Sequence, residues 1–325
     1  MNSKDIVIKS LPKIVNMRTL KATSLDDSAL NLALIDLLNT RQLLIEKQEE
    51  LGEKSLQFSI TIPNNDVKTT ATLIRNLFEL EIEAQYKTET KRKFYLYVRD
   101  KIEKQGILIQ NFSGVATETA RGVAIYNDIS PIIGVNENDR YPAKTFTIIH
   151  ELVHICKHVS TMCNDMFTSF SAQNEEVFCN AVAGEVLVPE EALAIFLNKY
   201  KEKEFTEEFI DFIADIFSIS KEVIIRRLLD LNKINKIQYE TFAIAFKKSS
   251  ELQKEHDKIS RKEIGSIMRR NILRETIDKT SIALCKTLLR SANEGLIDKQ
   301  DISRYLRIDQ KHIDKLLQEV SKWNN

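Results

Sequence analysis

Three of the five histidines in this chain fall close together, in the run Phe146-Thr-Ile-Ile-His150-Glu151-Leu-Val-His154-Ile-Cys-Lys-His158. The pattern His-Glu-x-x-His within it has a helical logic. Four residues of α-helix advance about 6 Å and turn about 400°, so His150 and His154 stand one above the other on one face. Two imidazoles placed that way can both reach one divalent ion at about 2.0–2.1 Å. Glu151 is turned about 100° from His150, near enough to take a proton from a water on that ion without becoming a ligand itself. The spacing points to metal-assisted hydrolysis, with Zn²⁺ as the expected ion and Glu151 as the expected base. A surface helix carrying histidines by accident is the bland alternative. It fits poorly, because Phe146, Ile148, Ile149, Leu152, Val153 and Ile155 demand burial, where unsatisfied His and Glu are costly.

A catalytic zinc needs a third protein ligand and one open position. Downstream, Asn174 to Leu187 reads as a helix closed by Pro189, with small residues at Ala181, Ala183 and Gly184 that would let it pack closely on the first helix. A glutamate near its start could complete the set, and spacing alone leaves Glu175 and Glu176 as near equals. Asn180, one turn beyond Glu176 on the same face, is placed to hydrogen-bond a ligand histidine. His158 sits about 12 Å along the helix axis from His150, too far to share a tetrahedral ion with both other histidines. Cys156, Cys163, Cys179 and Cys285 form no CxxC pair and read as reduced thiols of a cytoplasmic protein.

Helical periodicity supplies most of the elements around these residues. Helices are expected at 26–51, 66–80, 89–105, 143–158, 174–187, 190–199, 206–218, 220–231, 235–249, 262–293, 298–306 and 309–322. Between them the period changes. Ile107–Phe112, Gly122–Tyr126 and Pro131–Val135 are short β-branched or aromatic runs between turn residues and read as a three-stranded sheet. The organisation expected is a helical region at 1–89, a core at 90–200, a helix-turn-helix-like pair at 201–250 and a helical region at 251–325. The polar stretch 247–262 reads as the linker before the last of these.

With 47 basic and 47 acidic residues among 325, the chain is neutral. That argues against a basic nucleic-acid footprint, so direct nucleic-acid binding is not expected. The acidic balance of the helix pair after residue 201 points the same way. The longest charge-free run, Gln105 to Thr117, is broken by Gln, Asn, Ser and Gly, so no membrane span is expected. Eight glycines and five prolines are too few for an all-β fold built on tight turns.

Together these residues resemble the ImmA/IrrE family of zinc metallo-endopeptidases. The family's phrase Phe-Thr-x-x-His-Glu-x-x-His is matched from Phe146. Its following helix, Glu-x-x-Ala-Asn-x-Phe-Ala-x-x-Leu-Leu-x-Pro, is matched by Glu176-x-x-Cys179-Asn180-x-Val182-Ala183-x-x-Val186-Leu187-x-Pro189. Gly122 to Asn136 looks like the family's paired strands. The likeness is strong from about Gly106 to Pro189, and Cys179 and Val182 depart from the usual Ala and Phe. Counting back from Pro189, the resemblance puts the third ligand on Glu176 rather than Glu175.

The resemblance implies an α+β fold, mainly helical, with a zincin-like (gluzincin-like) peptidase core, a small three-stranded sheet and helical terminal regions. It also implies regulatory proteolysis, such as stress-responsive control of a mobile genetic element, by cutting a helix-turn-helix transcriptional repressor. The alternative is a zinc-containing regulator, associated with a phage, a mobile element or a toxin–antitoxin pair, that binds its partner without cutting it. The substrate is expected to add as a strand to an exposed sheet edge at Pro131–Val135. Tyr126, Tyr141 and His158 are the candidates for stabilising the oxyanion.

Overall fold

The computed structural model describes residues 15–16, 28–55, 57–63, 66–163, 174–200, 204–263 and 272–321. Its sheet contains β1 (Val15–Asn16), β2 (Leu108–Phe112), β3 (Gly122–Ile125), β4 (Ile132–Asn136) and β5 (Thr161–Cys163), in the order β1-β5-β3-β4-β2. The three strands expected from the sequence form its middle and one edge, with β3 antiparallel and β2 parallel to β4. β5, antiparallel to β3, and β1, parallel to β5, extend it to five strands. Both additions are too short to leave an alternating pattern in the sequence. β4 has a neighbour on each side, so its ladder groups are already paired. The expectation of a free edge at Pro131–Val135 is therefore corrected: the outer strands are β1 and β2.

The helices are α1 (Ser28–Glu50), α2 (Val67–Leu77), α3 (Ile82–Tyr86), α4 (Lys91–Glu103), α5 (Tyr141–Cys156), α6 (Asn174–Leu187) and α7 (Glu190–Lys199). They continue with α8 (Glu207–Ile216), α9 (Lys221–Asp230), α10 (Lys236–Glu263), α11 (Ile272–Lys279), α12 (Ile282–Asn293), α13 (Lys299–Leu306) and α14 (Ile313–Ser321). Side-chain caps start many of them: Asp66, Thr90, Thr206, Ser220, Ser281 and Asp298 each accept a backbone N–H of the first turn, satisfying donors the helix cannot. α3 was not expected from the sequence, and two longer stretches differ from its reading. The stretch 247–262, expected as a linker, lies inside α10. Of the single helix expected at 262–293, residues 264–271 lie outside the described residues, and 272–293 form α11 and α12, separated where Ser281 caps a new start by accepting from Leu284 N.

Successive strand residues point to opposite faces, so β2, β3 and β4 each serve two cores. On one face Ile109, Ala124, Ile133 and Val135 join a core with Ile148, Ile149, Leu152 and Val153 of α5, and with residues of α6, α8 and α9. On the other, Leu108, Phe112, Val123, Ile125 and Ile132 share a core with Leu30, Leu34 and Leu37 of α1 and with Leu284 and Leu288 of α12. Gly134 permits this second contact, since a Cβ there would lie 2.6 Å from Leu37 Cδ1. The N-terminal helix and the C-terminal region thus meet on the face of the sheet away from α5. No helix among the described residues is long and apolar enough to cross a membrane.

Candidate metal centre

α5 carries the His-Glu-x-x-His motif. It opens on Tyr141-Pro142, where proline is tolerated because the first turn has no N–H partner to lose. Every residue from Lys144 to Cys156 is buried. Beyond its end the chain turns sharply: His158, at φ 58°, donates its N–H to Ile155 O, and Val159 donates to His154 O, the Schellman pattern that closes orphan carbonyls.

His150 and His154 present their Nε2 atoms 3.2 Å apart. α6 packs across α5 and brings Glu176 to both. Its Oε2 lies 3.4 Å from His150 Nε2, and its Oε1 lies 3.2 Å from His154 Nε2. The three side chains belong to residues no more than 3% exposed. Four ligands at about 2.0–2.1 Å in a tetrahedron stand about 3.3–3.4 Å from one another, so the observed spacing leaves room for one ion among them. Two imidazole nitrogens and a carboxylate are also the donor types of a catalytic zinc site with one position left open. Burial alone would raise the Glu176 carboxyl, but the hydrogen bonds and charges of His150 and His154 outweigh it and hold the group well below the usual carboxylate range.

Which glutamate faces the histidines depends on the rotation of α6, and its far end is clamped. Arg75 Nη1 donates to Val186 O at 2.6 Å, Gln85 Nε2 to Leu187 O at 2.9 Å and Arg227 Nε to Val188 O at 3.1 Å, satisfying carbonyls at and just beyond the last turn. With α6 held so, Glu175 points to Lys157 Nζ at 2.5 Å and Glu176 to the imidazoles. Cys179, one turn on, puts Sγ 3.8 Å from His154 Nδ1. Burial, reinforced by Glu175 and Glu176, pushes its thiol well up. Asn180 makes no bond to either histidine, and its Oδ1 has no hydrogen-bond partner among the described residues.

Glu151 is fully buried and lies against the sheet. Its Oε2 accepts from Thr161 Oγ1 of β5 at 3.1 Å. Gly122, the first residue of β3, gives it space: a Cβ there would come 2.4 Å from Glu151 Oε1 and 2.4 Å from Thr147 Cγ2. Neither neighbour was legible from spacing, since the two come from different strands that the β3–β5 pairing brings together at Glu151. Gly122→Ala is accordingly expected to shift the Glu151 carboxylate. Displacements of about 1 Å at a reacting group cost about a hundredfold in rate, so turnover should fall by that order while metal content per chain stays at the wild-type value. Parallel rate and metal-content measurements check this.

The three oxyanion candidates are held elsewhere. The Tyr126 hydroxyl donates to Asp128 Oδ1 at 2.7 Å, and its ring stacks on His158 with centroids 4.5 Å apart. His158 Nε2 sits 3.1 Å from Thr61 Oγ1 and 3.3 Å from Ile60 O. Tyr141 donates to Asp278 Oδ2 at 2.6 Å, about 13 Å before His150 along the helix axis. Tyr141 begins α5, about two and a half turns before His150, and His158 follows its end, about one turn beyond His154.

Residues 102–229 match the family model for peptidase M78, the IrrE N-terminal-like domain. The matched span contains β2 to β5 and α5 to α8, and it ends inside α9. Neither a curated protein nor a solved structure gives a significant match to the chain.

Proposed function

We propose, for a chain whose residues 102–229 match the peptidase M78 model of IrrE N-terminal-like domains, that it is a zinc-dependent endopeptidase cutting a protein substrate. The observation that carries the reading is the convergence of His150 Nε2, His154 Nε2 and the Glu176 carboxylate within 3.2–3.4 Å in a buried site. Those three side chains would hold the ion. A divalent ion bound there would acidify water and polarise the scissile carbonyl. Glu151 is the base: its carboxylate takes the proton of the attacking water and returns it to the leaving amine. Thr161 and Gly122 fix where that carboxylate sits.

The substrate we propose is a helix-turn-helix transcriptional repressor, cut once. Intact mass of such a repressor, co-expressed with the wild-type chain and with Glu176→Ala, tests this. A single cleavage that disappears with Glu176→Ala, together with loss of stoichiometric zinc from that variant, is the expected result. A repressor that stays whole yet co-purifies with both forms would overturn proteolysis in favour of a regulator that acts by binding.

A further inference from the structure

We propose that Cys179 is a positioning residue for the metal site, its sulfur accepting the Nδ1 proton of His154 and so holding that imidazole in the tautomer that offers Nε2 to the ion. The inference rests on the metal-site reading above.

The Nε2 atoms of both histidines face Glu176. A His154 that ligates through Nε2 must offer that nitrogen's lone pair and carry its proton on Nδ1. Cys179 Sγ lies 3.8 Å from that Nδ1, within reach of an N–H···S bond, and the residue is fully buried. Cys179 follows Glu176 by one turn of α6. One helix therefore supplies both the third ligand and the acceptor behind the second. A ligand histidine more often donates its other N–H to a carboxylate, a carbonyl or water. Here Glu175, the nearby carboxylate, is occupied by Lys157 at 2.5 Å. In the family pattern the position of Cys179 is alanine, so the acceptor belongs to this chain and not to the motif.

A rival reading makes the same cluster a second metal site, since donor atoms of His154, Glu175 and Cys179 lie within 4.8 Å of one another. Two features oppose it. The Lys157 ammonium already supplies the positive charge beside Glu175. A second ion on Nδ1 would also require His154 to lose the proton that a neutral ligand keeps there.

The test uses the full-length chain as wild type, Cys179→Ala and Cys179→Val, the last filling the volume without an acceptor. Zinc affinity is measured by competition with a chromophoric chelator, and metal content by elemental analysis. Both variants are expected to bind zinc about tenfold more weakly than wild type, with one ion per chain throughout. In the zinc-loaded protein the His154 Nδ1 proton should exchange with solvent faster in both variants, as read from ¹⁵N–¹H spectra. Wild-type affinity in Cys179→Val with weakened Cys179→Ala would make the thiol a packing residue and overturn the proposal, as would wild-type affinity in both. Two ions in the wild type falling to one in Cys179→Ala would establish the rival site. A wild-type chain that binds no zinc would overturn the metal-site reading itself, a result distinct from all of these.

Discussion

Glu151→Gln is expected to lower the cleavage rate by about two to four orders of magnitude, the usual worth of a positioned general base, while one metal ion per chain remains. Glutamine has nearly the same shape. It fits the space left by Gly122 and keeps an oxygen to accept from Thr161 Oγ1, the contact that holds the native carboxylate at 3.1 Å. What it loses is the ability to take a proton. Because Glu151 is not among the three residues that converge at the candidate ion site, the substitution separates catalysis from metal binding. Initial rates on the identified substrate, with metal content measured on the same samples, decide the matter. Cleavage at the wild-type rate would remove Glu151 from the mechanism, and loss of metal with loss of rate would mean the residue supports the site rather than the chemistry.

Arg99→Met is expected to destabilise the fold by about 3–5 kcal/mol, the cost of leaving buried polar partners without their cation. Arg99 is completely buried. Its guanidinium donates to Asp278 O at 2.8 Å, Thr280 O at 2.6 Å, Ile277 O at 3.2 Å and Ile109 O at 3.2 Å. It thereby joins α4 and β2 to the junction of α11 and α12. Methionine replaces the stem but none of the donors. Glu103, a turn along α4, loses its ion-pair partner at 3.8 Å.

Burial already raises the Glu103 carboxyl from the ordinary 4.5 to about 7, against the pull of Arg99 and of the Ala283 and Ile109 N–H groups. A carboxyl whose folded value lies above its unfolded one binds more protons when folded. Its cost to stability is absent below the unfolded value and fully felt above the folded one. Without Arg99 the folded value rises further, so the deficit of the variant should widen as pH climbs from about 6 to 9, through and above the wild-type value of about 7. Denaturant titrations at both ends of that range give the measurement. Equal deficits at the two pH values would show that Glu103 is not coupled to Arg99.

The His-Glu-x-x-His spacing was legible because a helix converts a four-residue separation into one shared face. No tertiary information is needed to see that His150 and His154 can meet. The middle of the sheet was legible too, from short β-branched runs between turns. By contrast, β1 and β5 are two and three residues long, below the length at which alternation registers. Taking β4 for an edge has a different cause: its parallel pairing with β2 skips β3 in the chain, and that non-consecutive pairing, which places β4 between β3 and β2, leaves no local signal. The choice between Glu175 and Glu176 was also closed to local reasoning. Adjacent residues on a helix differ by about 100°, so the pointer to Glu176 came from the family resemblance alone. In the structure the packing of α6, clamped by Arg75, Gln85 and Arg227, turns that residue toward α5.

Spacing along the chain was enough to expect a helix that presents two histidines and a glutamate together, since that depends on contacts within a few residues. Packing between distant elements set the rest. It brought Glu176 rather than Glu175 to the imidazoles, set Thr161 and Gly122 around Glu151, and turned Tyr126, Tyr141 and His158 to other partners. It also laid α1 and α12 together on the back of the sheet. Each of those outcomes depends on which face of one element meets another across a long stretch of chain, and local periodicity carries no information about that relation.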